Sequence, residues 1–115
     1  MKNIKAIILD LDGTLLDDNK KISDKTIEFL KQLKEDIKII PASARQFCTI
    51  KPYLEKLDLL DDNNYTICFN GSLIVNNKEK ELFSSYIEKN VVIKIDDLIL
   101  DNNLYSPITI SNSNR

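Results

Sequence analysis

The sequence predicts an α/β fold with a mainly parallel sheet, and three observations lead to this prediction. First, the stretch from Ile4 to Leu9 is an almost unbroken apolar run, typical of a strand buried on both faces of a parallel sheet. Second, further apolar runs are separated by segments whose apolar residues recur at helical spacing. Third, polar residues directly follow these runs, where open α/β sheets bind ligands. With 115 residues, the chain has room for one domain at most.

The first predicted strand runs into two carboxylates, Asp10 and Asp12. Residues i and i+2 of a strand point the same way, so both carboxylates begin on one side of the backbone. Two close anions repel, and a bound cation or a shared proton relieves the repulsion. Because the chain has no histidine, a carboxylate must act as the general base here. An alternative is a hairpin with Asp12-Gly13 as the turn between 7–11 and 14–16.

A helix is predicted next, with Ser23 as its N-cap and Asp24 in its first turn. Ile22 precedes the cap and can pack against Ile27. The apolar residues of this segment recur at helical spacing, so they should face the sheet.

The second strand is predicted over 37–41 and should end at Pro41, because proline cannot donate to a ladder. The following helix should run to Leu57, with Pro52 kinking it or starting a new segment. A third strand is predicted over 65–69, followed by the turn signal Asn70-Gly71.

Residues 88–100 allow two interpretations. Val91, Ile95 and Leu98 share one face of a helix, whereas residues 91–95 read as a strand would end at the acidic pair Asp96-Asp97. We favour the helix.

Composition excludes several classes of function. The net charge of -2 and the scattered lysines give no footprint for nucleic acid or an anionic membrane. No apolar run approaches the length of a membrane span, and the start does not resemble a signal peptide, so we expect a cytoplasmic protein. Cys48 and Cys68 are too far apart for a redox or zinc motif, and both are expected to be buried thiols.

The segment Asp10-Leu11-Asp12-Gly13-Thr14-Leu15 resembles the first signature motif, DxDGT, of the haloacid dehalogenase-like (HAD) superfamily of phosphohydrolases. The resemblance implies that Asp10 is the nucleophile that becomes an aspartyl-phosphate, and that it also ligates Mg²⁺. It implies that Asp12 is the general acid/base and offers its carbonyl to the metal. Gly13 and Thr14 would shape the loop, with Thr14 close to the phosphate.

The segment Ser43-Ala44-Arg45 is similar to the second motif of the subgroup called Cof-type or sugar-phosphatase-like, where the pattern is Thr/Ser-Gly-Arg. Ser43 would then bind the phosphate, and Arg45 would reach the substrate. Ala44 replaces the usual glycine and tolerates positive φ poorly, so either the loop is helical there or its approach to phosphate is impaired. The alternative for Ser43 is that it caps the helix that follows.

Asn70-Gly71 is similar to the Asn-Gly that follows the third strand in this subgroup, where it lies near the substrate. In the family an apolar hairpin follows, as 73–75 and 82–83 suggest, and it leads to an inserted cap. The helix over 88–100 and a strand over 104–110 would begin this cap.

The resemblance thus implies a Rossmann-like, three-layer parallel sheet over 1–86, the N-terminal portion of the HAD core. Residues 87–115 would be the incomplete beginning of an inserted α+β cap. Full-length relatives continue with a motif-three lysine and motif-four aspartates, so we expect a chain truncated within the cap.

The function implied is that of a magnesium-dependent phosphatase acting on small phosphorylated metabolites such as sugar phosphates. Without the later motifs, we expect the chain to be weakly active or inactive. The truncation would also leave the first strand as an exposed apolar edge, which favours self-association. The alternative function is that of a non-catalytic HAD remnant that acts as a binding or oligomerising module.

Overall fold

The computed structural model describes residues 3–105, in which strands and helices alternate before a hairpin and a final helix. The elements are β1 (Ala6–Asp10), α1 (Asp24–Leu33), β2 (Lys38–Ala42), α2 (Phe47–Lys56), β3 (Tyr65–Cys68), β4 (Leu73–Asn76), β5 (Glu81–Ser84) and α3 (Lys89–Asp101). The chain divides into two compact units, the first ending at Ser84 and the second beginning at Ser85. None of the helices among the described residues has the length and apolar character needed to span a bilayer.

The first unit is built on one mixed five-stranded sheet in the order β1-β2-β3-β4-β5. The strands β1, β2 and β3 pair in parallel, whereas β4 and β5 add to the sheet antiparallel. Asp10 at the end of β1 pairs with Ala42 at the end of β2, so the carboxyl ends of these strands meet at one edge. The α/β prediction is confirmed, and β1 pairs with β2, not with 14–16 in a hairpin.

Both helices of the first unit pack on one face of the sheet. Leu30 of α1 and Ile50 and Leu54 of α2 are buried together with strand residues of alternating position, such as Ile39 and Val75. The first unit therefore supplies one helical layer and the sheet layer of the predicted architecture.

The opposite face of the sheet carries an apolar row. Ile8 pairs with Ile40, Ile67 pairs with Ile74, and Ile74 pairs with Phe83. Ala42, two residues after Ile40, pairs with Ile67, so all of these side chains lie on one face of the sheet. At its two ends Ile8 and Phe83 are 62% and 51% exposed. Neither α1 nor α2 covers this face.

The capping signal predicted the start of α1 correctly, whereas the effect of proline on β2 was misjudged. Ser23 caps α1 as predicted, its Oγ accepting the Thr26 N–H at 3.2 Å. Pro41, however, does not end β2, which continues to Ala42. Successive N–H groups of a strand face opposite neighbours, so one missing donor leaves the next bonds intact. The Ser43 N–H, two residues on, donates to the Ile67 carbonyl at 2.9 Å.

Helix α2 runs as one element through Pro52 to Lys56. The prediction for Cys48 was wrong, because this side chain is exposed. Phe47, Ile50 and Leu54 form the buried stripe of α2, and Cys48 falls outside that stripe.

The contested segment is a helix, since α3 spans Lys89–Asp101, and the strand interpretation is wrong. The strand predicted over 104–110 lies mostly outside the described residues. Leu104 and Tyr105 are described, and they are not in a strand.

A buried polar network fixes the β3–β4 hairpin. Asn77 is 2% exposed, and its Oδ1 accepts a hydrogen bond from Thr66 Oγ1 at 2.7 Å. Its Nδ2 donates to the Leu59 carbonyl at 2.7 Å. Both polar ends of the amide are therefore satisfied inside the core, and the hairpin is attached to the chain that follows α2.

The two thiols are predicted to differ in reactivity. Cys68 is buried, and burial raises its pKa to about 11, so almost no thiolate forms near pH 7. We expect iodoacetamide to modify one thiol per native chain and both thiols in denaturant, as measured by mass spectrometry. The Cys48→Ser variant should show no rapid modification in its native state, and rapid modification of both thiols in the native protein would contradict the fold.

Candidate active site

Three loops meet at the carboxyl ends of β1, β2 and β3. The loop after β2 is bonded to the turn after β3, since Asn70 N–H donates to the Ser43 carbonyl and Phe69 N–H donates to the Arg45 carbonyl, both at 3.2 Å. Arg45 also binds Asp12 in the loop after β1. The structure therefore brings the three predicted motifs into one connected group.

The loop after β1 is closed by its own backbone. Leu15 N–H donates to the Asp10 carbonyl at 3.2 Å, and Leu16 N–H donates to the Leu11 carbonyl at 2.8 Å. Gly13 has a φ of +76°, a conformation that side-chain-bearing residues rarely adopt. The buried side chains of Leu11 and Leu16 hold the loop against the core.

Asp10 and Asp12 lie in different environments. Asp10 is exposed, and its Oδ1 accepts the N–H of Leu11 at 2.8 Å. Asp12 is bound by Arg45 in bidentate fashion, with Nε to Oδ2 at 2.8 Å and Nη2 to Oδ1 at 2.6 Å. Lys20 Nζ also donates to Asp12 Oδ1, at 2.8 Å.

These contacts determine the charge state of Asp12. Hydrogen bonds from Arg45 and then Lys20 hold the pKa of the Asp12 carboxyl well below its usual range. The hydrogen bond to Asp12 in turn raises the pKa of Arg45. In this arrangement Asp12 is a carboxylate at neutral pH, because the two cations stabilise its charged form.

Ser43 is buried within the loop, and its Oγ accepts the Arg45 N–H at 3.2 Å. It does not cap α2, which begins at Phe47 with Gln46 in the N-cap position. Ala44 is not among the residues with positive φ, so the backbone of this loop accommodates alanine without strain.

The remaining predicted residues lie at the margins of the group. Asn70 and Gly71 have φ of 55° and 95° in the turn after β3, as an Asn-Gly pair readily allows. Thr14 is exposed, and its N–H donates to the Leu11 carbonyl at 3.3 Å. Among residues 3–105, hydrogen bonds join Asp12 to Arg45 and Ser43 to Asn70, but none joins Asp10 to Ser43.

Lys20 is the residue that the sequence analysis missed. It belongs to a polar loop, and nothing in its immediate neighbours distinguishes it from the exposed Lys21. The available sequence signal was Asp17, because an aspartate in a polar loop commonly accepts nearby backbone N–H groups. In the structure, its Oδ1 accepts the N–H groups of Asn19 and Lys21 at 2.9 and 2.8 Å.

Whether a magnesium ion fits this site depends on the oxygen ligands that Asp10 and Asp12 offer. Among the described residues, no group of three or more Asp, Glu, Cys or His side chains is placed to hold a metal. Mg²⁺ is commonly bound by only one or two carboxylates, with waters and substrate phosphate completing its shell. The exposed Asp10 carboxylate and the Asp12 carbonyl fit that minimal requirement, whereas the Asp12 carboxylate is already engaged by two cations.

Open α/β sheets bind ligands outside the carboxyl ends of their strands, which is where the acidic, hydroxyl and arginine side chains of this chain lie. A family model described as haloacid dehalogenase-like hydrolase matches residues 7–114 of this chain. The chain belongs to this family, as its motifs predicted.

Relatives support the same family. An inferred phosphatase of Haemophilus influenzae is 33% identical over 87% of this chain and 37% of its own length. An inferred phosphatase of Mycoplasma genitalium is 35% identical over 85% of this chain and 35% of its own length. The chain thus spans about a third of the length of the curated relatives it matches.

Solved structures agree with the fold. A haloacid dehalogenase-like hydrolase from Bacteroides thetaiotaomicron matches with a TM-score of 0.79 and 27% identity, over 87% of this chain and 38% of that one. A structure described as a HAD subclass IIB sugar phosphatase matches with a TM-score of 0.69 and 25% identity, over 85% of this chain and 38% of that one.

Replacing Arg45 should change the titration of Asp12. In Arg45→Gln, the pKa of Asp12 should rise toward its ordinary value of 3.8, because the leading stabilising contact is lost. NMR titration of the Asp12 side-chain carboxyl measures this change, and Lys51→Gln, which breaks the exposed pair with Glu79, is the matched control.

The low pKa of Asp12 also makes the stability of the fold depend on pH. A carboxyl whose folded-state pKa is depressed stabilises the fold above its unfolded pKa, and this contribution is lost as the pH falls through the folded-state pKa. The stability of the wild-type protein should therefore fall more steeply than that of Arg45→Gln as the pH drops below 3.8. Equal slopes would show that the ion pair does not form in solution.

Proposed function

We propose that this chain carries the nucleophile and phosphate-binding portion of a magnesium-dependent phosphatase that hydrolyses small phosphorylated metabolites. The observation that carries the proposal is the connected group of Asp12, Ser43 and Arg45 beside Asp10, at the strand ends of a HAD-like sheet. The similarity to a structure described as a sugar phosphatase supports sugar phosphates as the substrate class and a Cof-type assignment.

In the proposed first step, an Asp10 carboxylate oxygen attacks phosphorus and the bond from phosphorus to the leaving-group oxygen breaks. The product is an aspartyl-phosphate on Asp10, and the leaving oxygen takes a proton from Asp12. In the second step, water attacks the phosphoryl group while Asp12 accepts its proton, the bond from the Asp10 oxygen to phosphorus breaks, and inorganic phosphate leaves with the Asp10 carboxylate restored. The Ser43 hydroxyl binds a phosphoryl oxygen.

The geometry places different demands on Asp12 in the two steps. As a general base, Asp12 must be ionised, and Arg45 and Lys20 favour that form. As a general acid it must first bind a proton, which the same two cations oppose. The proposed reaction therefore requires these contacts to loosen when the substrate binds.

The metal in this proposal is Mg²⁺, held by the Asp10 carboxylate and the Asp12 carbonyl. When bound, it screens the negative charge of the phosphate from the attacking carboxylate. Few carboxylates stand near Asp10 among the described residues, so we expect weak turnover from this chain alone. We also propose a cytoplasmic location, which the two unpaired thiols support.

The nucleophile assignment can be tested with an aryl phosphate. Magnesium-dependent hydrolysis of p-nitrophenyl phosphate should fall to the uncatalysed rate in Asp10→Asn, because an amide cannot form the acyl phosphate. The matched control is Asp18→Asn, an exposed aspartate of the following loop, which should keep the wild-type rate. Activity that survives in Asp10→Asn would exclude Asp10 as the nucleophile.

A second candidate function is that of a non-catalytic module that self-associates. The observations that favour it are the edge position of β1 and the uncovered apolar row that begins at Ile8. Edge strands with apolar faces pair readily with other chains.

This candidate predicts a concentration-dependent oligomer that Ile8→Lys disrupts, since a charge on the apolar row opposes its burial. Sedimentation velocity measures the change. Phe29→Lys places the same charge on an equally exposed apolar residue of α1 and should leave the oligomer intact. A monomeric wild-type protein at high concentration would exclude this function.

A further inference from the structure

The loop over residues 17–21 holds Lys20 in an unusual backbone conformation. Lys20 has a φ of 58°, in the left-handed region that residues with a Cβ rarely occupy. Its N–H donates to the Asp17 carbonyl at 2.9 Å, and Asp17 N–H donates to the Lys21 carbonyl at 2.9 Å. Such a conformation persists only where the surroundings enforce it, and it occurs often at functional sites.

Tyr53 of α2 supports Lys20 and Arg45 together. Its hydroxyl donates to the Lys20 carbonyl at 3.2 Å, and the guanidinium carbon of Arg45 lies 5.7 Å from the centre of its ring. The same side chain thus fixes the loop that carries one cation and stacks against the other. The two cations approach Asp12 from different parts of the chain.

The two cations differ in how firmly they hold Asp12. Arg45 uses two donors on both carboxylate oxygens and is 26% exposed. Lys20 donates to Oδ1 alone and is 55% exposed. Because Oδ1 also accepts from Arg45, Asp12 stays paired if Lys20 turns away. An ammonium has three N–H donors, so Lys20 can also bind a second anion as its contact with Asp12 loosens.

The position of Lys20 follows from that of Asp12, and this step rests on the proposed function. A group that exchanges a proton with the leaving-group oxygen stands on the leaving-group side of the phosphorus. A cation beside it therefore faces the part of the substrate beyond the scissile bond. The carboxylate of Asp17 is engaged by two backbone N–H groups of its own loop, where it organises Lys20.

We infer that Lys20 is a specificity-determining residue that binds an anionic group on the leaving portion of the substrate, a carboxylate or a second phosphate. Three observations support this inference. The backbone of Lys20 is held in a left-handed conformation, its ammonium is exposed and has further N–H donors, and Asp12 keeps its pairing with Arg45 when Lys20 moves. Among phosphate esters, sugar phosphates included, Lys20 thereby favours those whose leaving portion carries a carboxylate or a second phosphate over those whose leaving portion is neutral.

The test compares two ligands that differ by one carboxylate, phenyl phosphate and 4-carboxyphenyl phosphate. Their dissociation constants are measured by NMR titration in the presence of Mg²⁺, in an Asp10→Asn background that removes turnover. With Lys20 present, the carboxylated ester should bind about threefold more tightly, the size expected of an exposed ion pair. In Lys20→Gln the preference should disappear, and Lys20→Arg should restore it.

Lys21→Gln is the matched control, since it removes the same charge from the adjacent exposed residue and should keep the preference. High salt should weaken the preference in the Lys20 protein. A preference that survives in Lys20→Gln, or that Lys21→Gln abolishes equally, overturns the inference. If both esters weaken by the same factor in Lys20→Gln, Lys20 serves only to hold Asp12, and the inference is also wrong.

The outcomes separate this inference from the proposed function. Binding of both esters without a preference overturns the role of Lys20 and leaves the phosphatase proposal standing. If neither ester binds any of the variants, both the inference and the phosphatase proposal are contradicted.

Discussion

The parallel pairing of β1 with β2 is the constraint on which the site depends. Because Asp10 is in register with Ala42, the loops that leave both strands start side by side. A shift of one residue would turn Ile39 away from the core and move Arg45 relative to Asp12. One strand register therefore both buries Ile39 and places the two loops side by side.

Charge is distributed unequally over the two acidic residues. Asp12 meets two cations, whereas Asp10 meets only a backbone N–H among the contacts described. The repulsion between the two neighbouring carboxylates is thereby reduced, because the protein neutralises the charge of Asp12. The other is left accessible to whatever approaches from solvent, as a nucleophile requires.

The local pattern was sufficient for much of this fold. The apolar runs, the Ser23 cap and the helical spacing around Val91 predicted the type of each element, because they depend on neighbours in sequence. Pro41 and Cys48 were misjudged because their outcomes depend on ladder geometry and helix rotation. The motif around Asp10 predicted the family, but no local pattern showed which cations pair with Asp12.

Contacts between distant residues could not be predicted from sequence. The role predicted for Arg45, reaching the substrate, is untested, and no sequence pattern predicted its ion pair with Asp12 or the left-handed turn that brings Lys20 to the same carboxylate. The turn depends on the Asp17 carboxylate, which accepts a backbone N–H, and on the Tyr53 hydroxyl, which donates to the Lys20 carbonyl. Because Tyr53 is far from this loop in sequence, no local pattern predicts their contact. The roles assigned to Ser43 and the other site residues stay predictions until substrate binding is measured.

The buried amide of Asn77 has a consequence for how this sequence can vary. Thr66 and the Leu59 carbonyl must both reach it, so the number of residues between β3 and the end of β4 is fixed from both sides. An insertion there would leave two polar groups in the core without partners, whereas the exposed 17–21 loop can change length without that penalty. Within the family, length variation should therefore accumulate near the mouth of the site and be rare in the hairpin beside it.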